Sequence, residues 1–364
     1  MKTIIFTSLL ILSLNSTNLL SQNKDVWSAF EDEATGLYGF KDDEGNVKVE
    51  AKFLGFMLAP KFSDIVALME DNNTSYYLTK KGNKVGRDSL YIFDNSYDCE
   101  SEGFIRFGDN KNNTTGMFNS QGRVVVPAEY NYLSEVRNGL IVAIKGAQKE
   151  FLNNDSTDEH WGWSNGTKYL IDTANNIIVK DFEDNGEIDF HSLIIENTLS
   201  SDTNRDNYPG IDGRYYTFIN NMKLFENWLK NNFLKDVSEE SLLENCYPNI
   251  IYWSEDSGWV AKSNKLFMDD YFGLIKERLS RLNKDSADYF ISIDDFVITP
   301  PDIGSEFEKY LDNCGHLKTS QFPLMNVVIN FTNGNDFYQD NFDFFKSENG
   351  FQLLTVVLRD ALMK

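Results

Sequence analysis

The chain has only three cysteines, seven prolines and three histidines in 364 residues. Three cysteines are too few for a disulfide scaffold, and no two stand at the spacing of a zinc-ligand pair, which argues against a structural zinc site. Cys99 lies in the polar run 95–101, whereas Cys246 and Cys314 each end a stretch with helical patterning. In an oxidising compartment those last two could pair, although separate buried thiols are the simpler expectation. Beyond the first residues no apolar run reaches the roughly 18 residues of a membrane helix. Phosphate-binding loops, dinucleotide fingerprints, Gly-x-Ser-x-Gly and His-Glu-x-x-His are absent, which weighs against the enzyme classes they serve. Positive charge is scarce too: 34 Lys and Arg stand against 56 Asp and Glu, a net charge of −22. So acidic a chain repels phosphate backbones, so neither nucleic acid nor an anionic membrane is expected as a partner.

The start, Met1-Lys2-Thr3, leads into an apolar run from Ile4 to Leu14. One positive charge before about 11 apolar residues fits a secretory signal and is too short to span a bilayer. Residues 1–22 are therefore expected to be a signal peptide, and the protein to be exported to the periplasm, cell surface or exterior. No cysteine follows the run, which argues against a lipid anchor. The composition, 41% hydrophobic and 14% aromatic, is that of a globular chain with length for about two domains.

What the sequence does contain is a repeat. Between Gly36 and Lys180 an apolar pair runs into a polar tetrad, a Gly or Asn, and then a β-branched run. The copies centre on Gly45, Gly82, Gly122 and Asn175, the last interval being longer because residues 147–166 insert a polar loop. Gly and Asn share the position because a tight hairpin turn needs positive φ. The alternation after it (Val47, Val49; Val124, Val126; Ile177, Val179) predicts strands with one buried face. Hairpins this small must stack on neighbours to bury that face.

Tyr38-Gly39-Phe40, Val126-Pro127-Ala128-Glu129-Tyr130 and Asn138-Gly139-Leu140 resemble the WG-repeat family of bacterial proteins. Tyr38 stands where the family usually has Trp, and Thr115-Gly116-Met117-Phe118 lacks the aromatic. The resemblance implies a β-rich repeat domain with no common catalytic site.

Turn residues dominate 200–213, which reads as a linker. Beyond it Met222, Phe225, Trp228, Leu229 and Phe233 predict a helix over about 221–235. Ser263 or Asn264 caps a longer one reaching Leu282, and Ser305-Glu306-Phe307-Glu308 opens a short one with Phe307, Leu311 and Cys314 on one side and Gly315 as its stop. Strands at 323–331, 336–345 and 351–358 close the chain. The expected fold class is thus a β-rich hairpin-repeat domain over 25–198, a linker over 199–213, and an α+β domain over 214–364 with helices first and a curled antiparallel sheet last. Residues 337–354 are similar to the terminal strands of the cone-shaped nuclear transport factor two-like class, with Gly350-Phe351-Gln352-Leu353-Leu354 in place of its usual Gly-Lys-Trp-Lys-Leu.

Two constellations are candidate sites. Asp202, Asn204 and Asp206 have the alternating oxygen spacing of a calcium loop, with the Tyr208 carbonyl next, but Gly213 stands where the bidentate Glu belongs. Calcium there would stiffen the joint. In the insertion, acidic residues precede His160, Trp161 and Trp163, a grouping suited to sugar or cation recognition, against the simpler reading that the tryptophans pack back on the repeat. His191 lies in strand-like surroundings and reads as structural. A Cys314–His316 nucleophile lacks an orienting third group, and Asp294 and Asp295 are strand neighbours facing opposite ways. Neither face of the 323–331 strand carries a charge, which favours binding over catalysis.

These features suggest an exported, non-catalytic protein that uses its repeat surface to hold a protein or glycan partner. The alternative is a C-terminal pocket that binds a small molecule or acts as a hydrolase-like enzyme.

Overall fold

The computed structural model describes residues 25–93, 96–151, 161–284, 287–294, 305–333 and 336–359; the expected signal peptide and His160 lie outside them. The four repeat turns share one hydrogen-bond pattern. Asp42, Thr79, Asn119 and Asp172 each donate N–H to the carbonyl four residues on and accept N–H at their own carbonyl from Gly45, Gly82, Gly122 and Asn175. Their side-chain oxygens also accept the N–H four residues on, at 2.8–3.1 Å. The third-position residue has φ between +64° and +84°, which is why Gly and Asn alternate there.

Among the described residues the repeat region builds five antiparallel sheets of three or four strands in chain order. The first holds Trp27–Asp32, Leu37–Lys41, Val47–Phe53 and Lys61–Phe62; the second Ile65–Met69, Ser75–Thr79 and Lys84–Val85; the third Phe104–Asp109, Thr114–Asn119 and Val124–Tyr130. The fourth holds Tyr132–Leu133, Leu140–Lys145, Thr167–Asp172 and Ile177–Lys180, and the fifth Ile188–Glu196, Arg205–Pro209 and Tyr215–Asn220. Alternation predicts one buried face per strand; the strands after the turns leave Val47, Val124 and Ile177 exposed, whereas stacking buries both faces of Ile65–Met69 and Leu140–Lys145. Val66 and Leu68 pack toward Phe40 and Phe53 of the first sheet, while Ile65 and Ala67 pack toward Ile105 and Phe118 of the third. Val142 and Leu140 likewise join Phe190 and Phe218 of the fifth sheet, while Ile141 and Ala143 join Met117 and Val126 of the third. A chain of small cores follows, each shared by neighbours.

The segment 199–213 is not a bare linker. Arg205–Pro209 is the edge strand of the fifth sheet, paired antiparallel with Tyr215–Asn220. Pro209 ends this strand, a position where a missing N–H does no harm. Arg205 Nε donates to Thr217 Oγ1 at 3.1 Å, and its guanidinium also reaches the carbonyls of Thr217 and Ser192.

The C-terminal half has helices α1 (Asn221–Asn231), α2 (Glu239–Glu244) and α3 (Asn264–Leu279). Asn220 caps α1 by accepting the Lys223 N–H at 3.0 Å. A six-stranded mixed sheet follows in the order Gly258–Ser263, Cys246–Ser254, Gly350–Val357, Asp336–Ser347, Leu324–Asn333, Tyr289–Asp294. The Cys246–Ser254 strand runs parallel to Gly350–Val357, so the sheet is not wholly antiparallel. Helix residues Phe225, Leu229, Phe267 and Ile275 cover one face, over Val327, Ile329, Phe342 and Phe344. Phe307, Tyr310 and Leu317 cover the other, over Ile251, Leu324, Phe345 and Leu354.

The short helix expected from Ser305 is 3-10 and ends at Tyr310. Leu311 then bridges Leu317, and residues 312–316 repeat the turn of the N-terminal hairpins: Asp312 N–H meets the His316 carbonyl at 2.8 Å, and His316 N–H meets Asp312 Oδ1 at 2.8 Å. Cys314 therefore sits in a turn rather than on a helix face. Its partner is Cys99, not Cys246, in a disulfide spanning 215 residues; Cys246 is the free, buried thiol. Folding brings together a loop and a turn that no local pattern relates.

Candidate functional site

The 311–321 segment lies against the repeat stack and fixes the two halves together. Lys61 N–H donates to the Asn313 carbonyl at 3.2 Å and Asn313 Nδ2 to Ser63 Oγ at 3.2 Å, beside the disulfide. Farther along, Lys346 Nζ reaches Asp189 Oδ2 at 3.0 Å and Asn221 Oδ1 at 2.9 Å, while Asn221 Nδ2 donates to the Ser320 carbonyl at 3.0 Å.

Between these ties lies a cleft of about 350 Å³ whose lining includes Glu100, Glu102, Arg137, His191, Asp312 and Lys318. Its carboxylates are largely committed to backbone. Glu100 Oε2 accepts N–H groups of Ser63, Asp64 and Ile65 at 2.8–3.2 Å, and burial still holds its carboxyl above the ordinary range. Glu102 accepts the N–H groups of Asn138 and Gly139 at 2.5 and 2.8 Å. Arg137 is held by Glu135, and Lys318 Nζ donates to the Lys309 carbonyl at 3.0 Å, with burial pushing its pKa down. Among its described lining residues the cleft has both charge signs. His191, expected as structural, lines it.

The insertion forms a separate hairpin, Gln148–Phe151 paired with Trp161–Ser164. Trp161 and Trp163 meet edge-to-face at 5.0 Å between ring centroids, and Lys149 Nζ sits 4.0 Å from the Trp161 centroid. Trp161 is 40% exposed and Trp163 half-buried, and among the described hairpin residues none belongs to the buried clusters of the neighbouring sheets. A second pair, Trp253 and Trp259, stands directly opposed across the Cys246–Ser254/Gly258–Ser263 hairpin, 5.4 Å apart and exposed. Sequence reasoning missed it, although two tryptophans flanking Ser-Glu-Asp-Ser-Gly are a legible hairpin signal.

The side chains of the calcium quartet have partners within the chain. Asp202 Oδ1 accepts the Asn204 N–H at 2.9 Å, and Asn204 Oδ1 takes the Asn227 amide. Asp206 lies in the edge strand and pairs with Lys223 and Asn220 Nδ2, and Tyr208 OH donates to the Glu183 carbonyl at 3.0 Å. Among the described residues the cluster of metal-ligating types is Cys99, Asp312 and Cys314. With Cys314 in a disulfide, a Cys314–His316 nucleophile has no thiolate to use.

In the last sheet, Asp343 and Asn326 stand opposite each other, and the Asn326 amide donates to Asp343. Burial pushes the Asp343 carboxyl up to about 6; the Asn326 bond opposes the rise and the charge of Asp294 adds to it. The helix-covered face holds Asp340 beside Arg278, with 3.5 Å between Nη1 and Oδ2. The 323–331 strand is itself uncharged, as expected, but its neighbours bring an acid to each face.

Residues 116–147 match the family model described as the WG containing repeat. No curated protein and no solved structure matches the chain. The matched stretch runs from within Thr114–Asn119 through Val124–Tyr130 of the third sheet to Leu140–Lys145 of the fourth, where the Gly122 turn, Val126-Pro127 and Asn138-Gly139-Leu140 lie, and so supports the WG-repeat resemblance read from those residues.

Proposed function

We propose that this is an exported, non-catalytic binding protein that holds a protein partner on its repeat stack, with the Gln148–Phe151/Trp161–Ser164 hairpin as the principal contact. The observation that carries this reading is that exposed Trp161 and Lys149 and half-buried Trp163 lie together on a hairpin whose described residues join no buried cluster. Tryptophan is a costly surface residue and a frequent binding anchor, and loops on a rigid scaffold are where recognition usually resides. Lys149 covers one Trp161 ring and the pair is edge-to-face, so the site lacks the open flat platform that sugar stacking uses; a protein partner fits better than a glycan. The test is crosslinking capture from an envelope fraction by wild-type protein and by Trp161→Ala/Trp163→Ala, alongside a glycan array. Loss of a specific protein band in the variant supports the reading. An unchanged set of captured proteins sinks it, and array binding lost in the variant would make the partner a glycan.

A second reading is favoured by one feature of the C-terminal half. No comparison supports the nuclear transport factor two-like resemblance, but a cavity of about 310 Å³ opens beside Arg281, Lys284, Asp288 and Phe331. Such a pocket would bind a small anionic molecule or support hydrolase-like chemistry. Thermal-shift screening against small carboxylates and phosphates, with Arg281→Ala as control, separates this reading from the first.

A further inference from the structure

The Cys99–Cys314 bridge lies inside a larger constellation of ligating atoms. The sulfurs of Cys99 and Cys314 and a carboxylate oxygen of Asp312 all lie within 4.8 Å of one another. His316 Nδ1 lies 3.5 Å from Asp312 Oδ2. A cleft of about 130 Å³ lined by Cys99, Asp312 and His316 connects the group to solvent. The turn itself is built independently of the bridge: Asp312 Oδ1 accepts the N–H groups of Cys314 and His316, each at 2.8 Å, and Gly315 supplies φ of +85°. That locks one carboxylate oxygen into the turn and turns the other toward the imidazole.

We propose that these four residues form a redox-gated site for Zn²⁺ or a similar divalent ion, occupied when the bridge is reduced. A dithiol or phosphine reductant supplies two electrons, the S–S bond breaks, and two protons from water or the reductant complete two thiols. Metal uptake then expels those two protons and leaves two thiolates, the Asp312 carboxylate and the His316 imidazole around the ion. Two sulfurs, one nitrogen and one oxygen are a ligand set that zinc accepts tetrahedrally. Ligand bonds of about 2.0–2.3 Å place tetrahedral donors roughly 3.3–3.8 Å apart; the sulfurs would separate on reduction, and His316, now 3.5 Å from Asp312, would turn in to join the three donors grouped within 4.8 Å. Cys99 comes from the repeat stack and the other three from the C-terminal turn, so the metal would keep the two halves joined where a disulfide cannot persist. The inference does not depend on what the tryptophan hairpin binds.

The test uses the full chain, reduced with a phosphine without oxygen, freed of metal and titrated with Co²⁺. Expected are one equivalent of tight cobalt with tetrahedral ligand-field and thiolate charge-transfer bands, displaced by Zn²⁺ and absent from the oxidised protein. His316→Ala, a change at an exposed side chain, should weaken binding by roughly tenfold or more, and Cys246→Ala should leave it unchanged. No stoichiometric uptake, bands without tetrahedral character, or an affinity indifferent to His316→Ala would each overturn the proposal. Circular dichroism on the reduced protein is read in parallel, and loss of the fold on reduction would overturn it as well.

Discussion

Lys346 on the last sheet and Asp189 on the fifth repeat sheet form an ion pair of 3.0 Å at the joint between the two halves, with side chains 16% and 9% exposed. Asn221 at the start of α1 shares the ammonium at 2.9 Å, so three elements meet at one charge. Cutting one side of such a pair leaves the other buried and uncompensated. Lys346→Met is therefore expected to destabilise by about 3 kcal/mol, and Asp189→Asn by somewhat less because its amide still offers an oxygen. Urea denaturation of the singles and the double variant checks this. A coupling energy indistinguishable from zero would show that the pair does not carry the joint.

The disulfide closes a loop of 215 residues. Loop-closure entropy makes so long a staple worth up to about 5 kcal/mol, with about 2–5 typical in practice. Cys314→Ala should therefore lower the melting temperature by several degrees, and adding reductant plus EDTA to wild type should reproduce the loss. A melt equal in oxidised and reduced protein would mean that the other contacts suffice to hold the halves.

Asp343 gives a pH dependence whose sign can be stated. Its folded pKa of about 6 lies above the unfolded value near 4, so between these pH values the folded protein binds more protons. The contribution of this group is full below about pH 4, falls as pH rises through 6, and is constant thereafter. Asp343→Asn keeps an oxygen for Asn326 and removes the buried charge, so at pH 8 it should stabilise by up to about 3 kcal/mol and at pH 4 by almost nothing. Denaturation at the two pH values checks this; an equal effect at both contradicts it.

Two repeat glycines should respond differently to alanine. A Cβ at Gly39 would lie 2.4 Å from the Val49 carbonyl oxygen, a backbone clash at the irregular pairing of Leu37–Lys41 with Val47–Phe53. At Gly45 it would meet nothing within 4 Å, and only φ of +84° opposes it. Gly45→Ala is expected to cost about 1 kcal/mol and Gly39→Ala about twice that or more. Chemical denaturation of both variants tests the order.

The repeat turns were legible because their rule is local. A residue with an oxygen side chain, three positions before a Gly or Asn, specifies a turn whatever surrounds it, and Gly45, Gly82, Gly122 and Asn175 all obey. By that rule Asp312-Asn313-Cys314-Gly315-His316 was equally readable, but the apolar spacing of Phe307, Leu311 and Cys314 suggested a longer helix. The edge strand at Arg205–Pro209 was obscured because its residues favour turns and only its pairing with Tyr215–Asn220 makes it a strand. β-Structure draws its stability from the partner strand, which local composition does not contain.

The sequence by itself determined the repeating hairpins, α1 and α3, and the last three strands, because period, caps and turn chemistry act within a few residues. Only the tertiary structure decided which cysteines meet, where Lys346 finds Asp189, and that Asp343 is buried opposite Asn326. Each of these joins segments that are remote in the chain or depends on burial, and both are set when the sheets stack and the two halves dock.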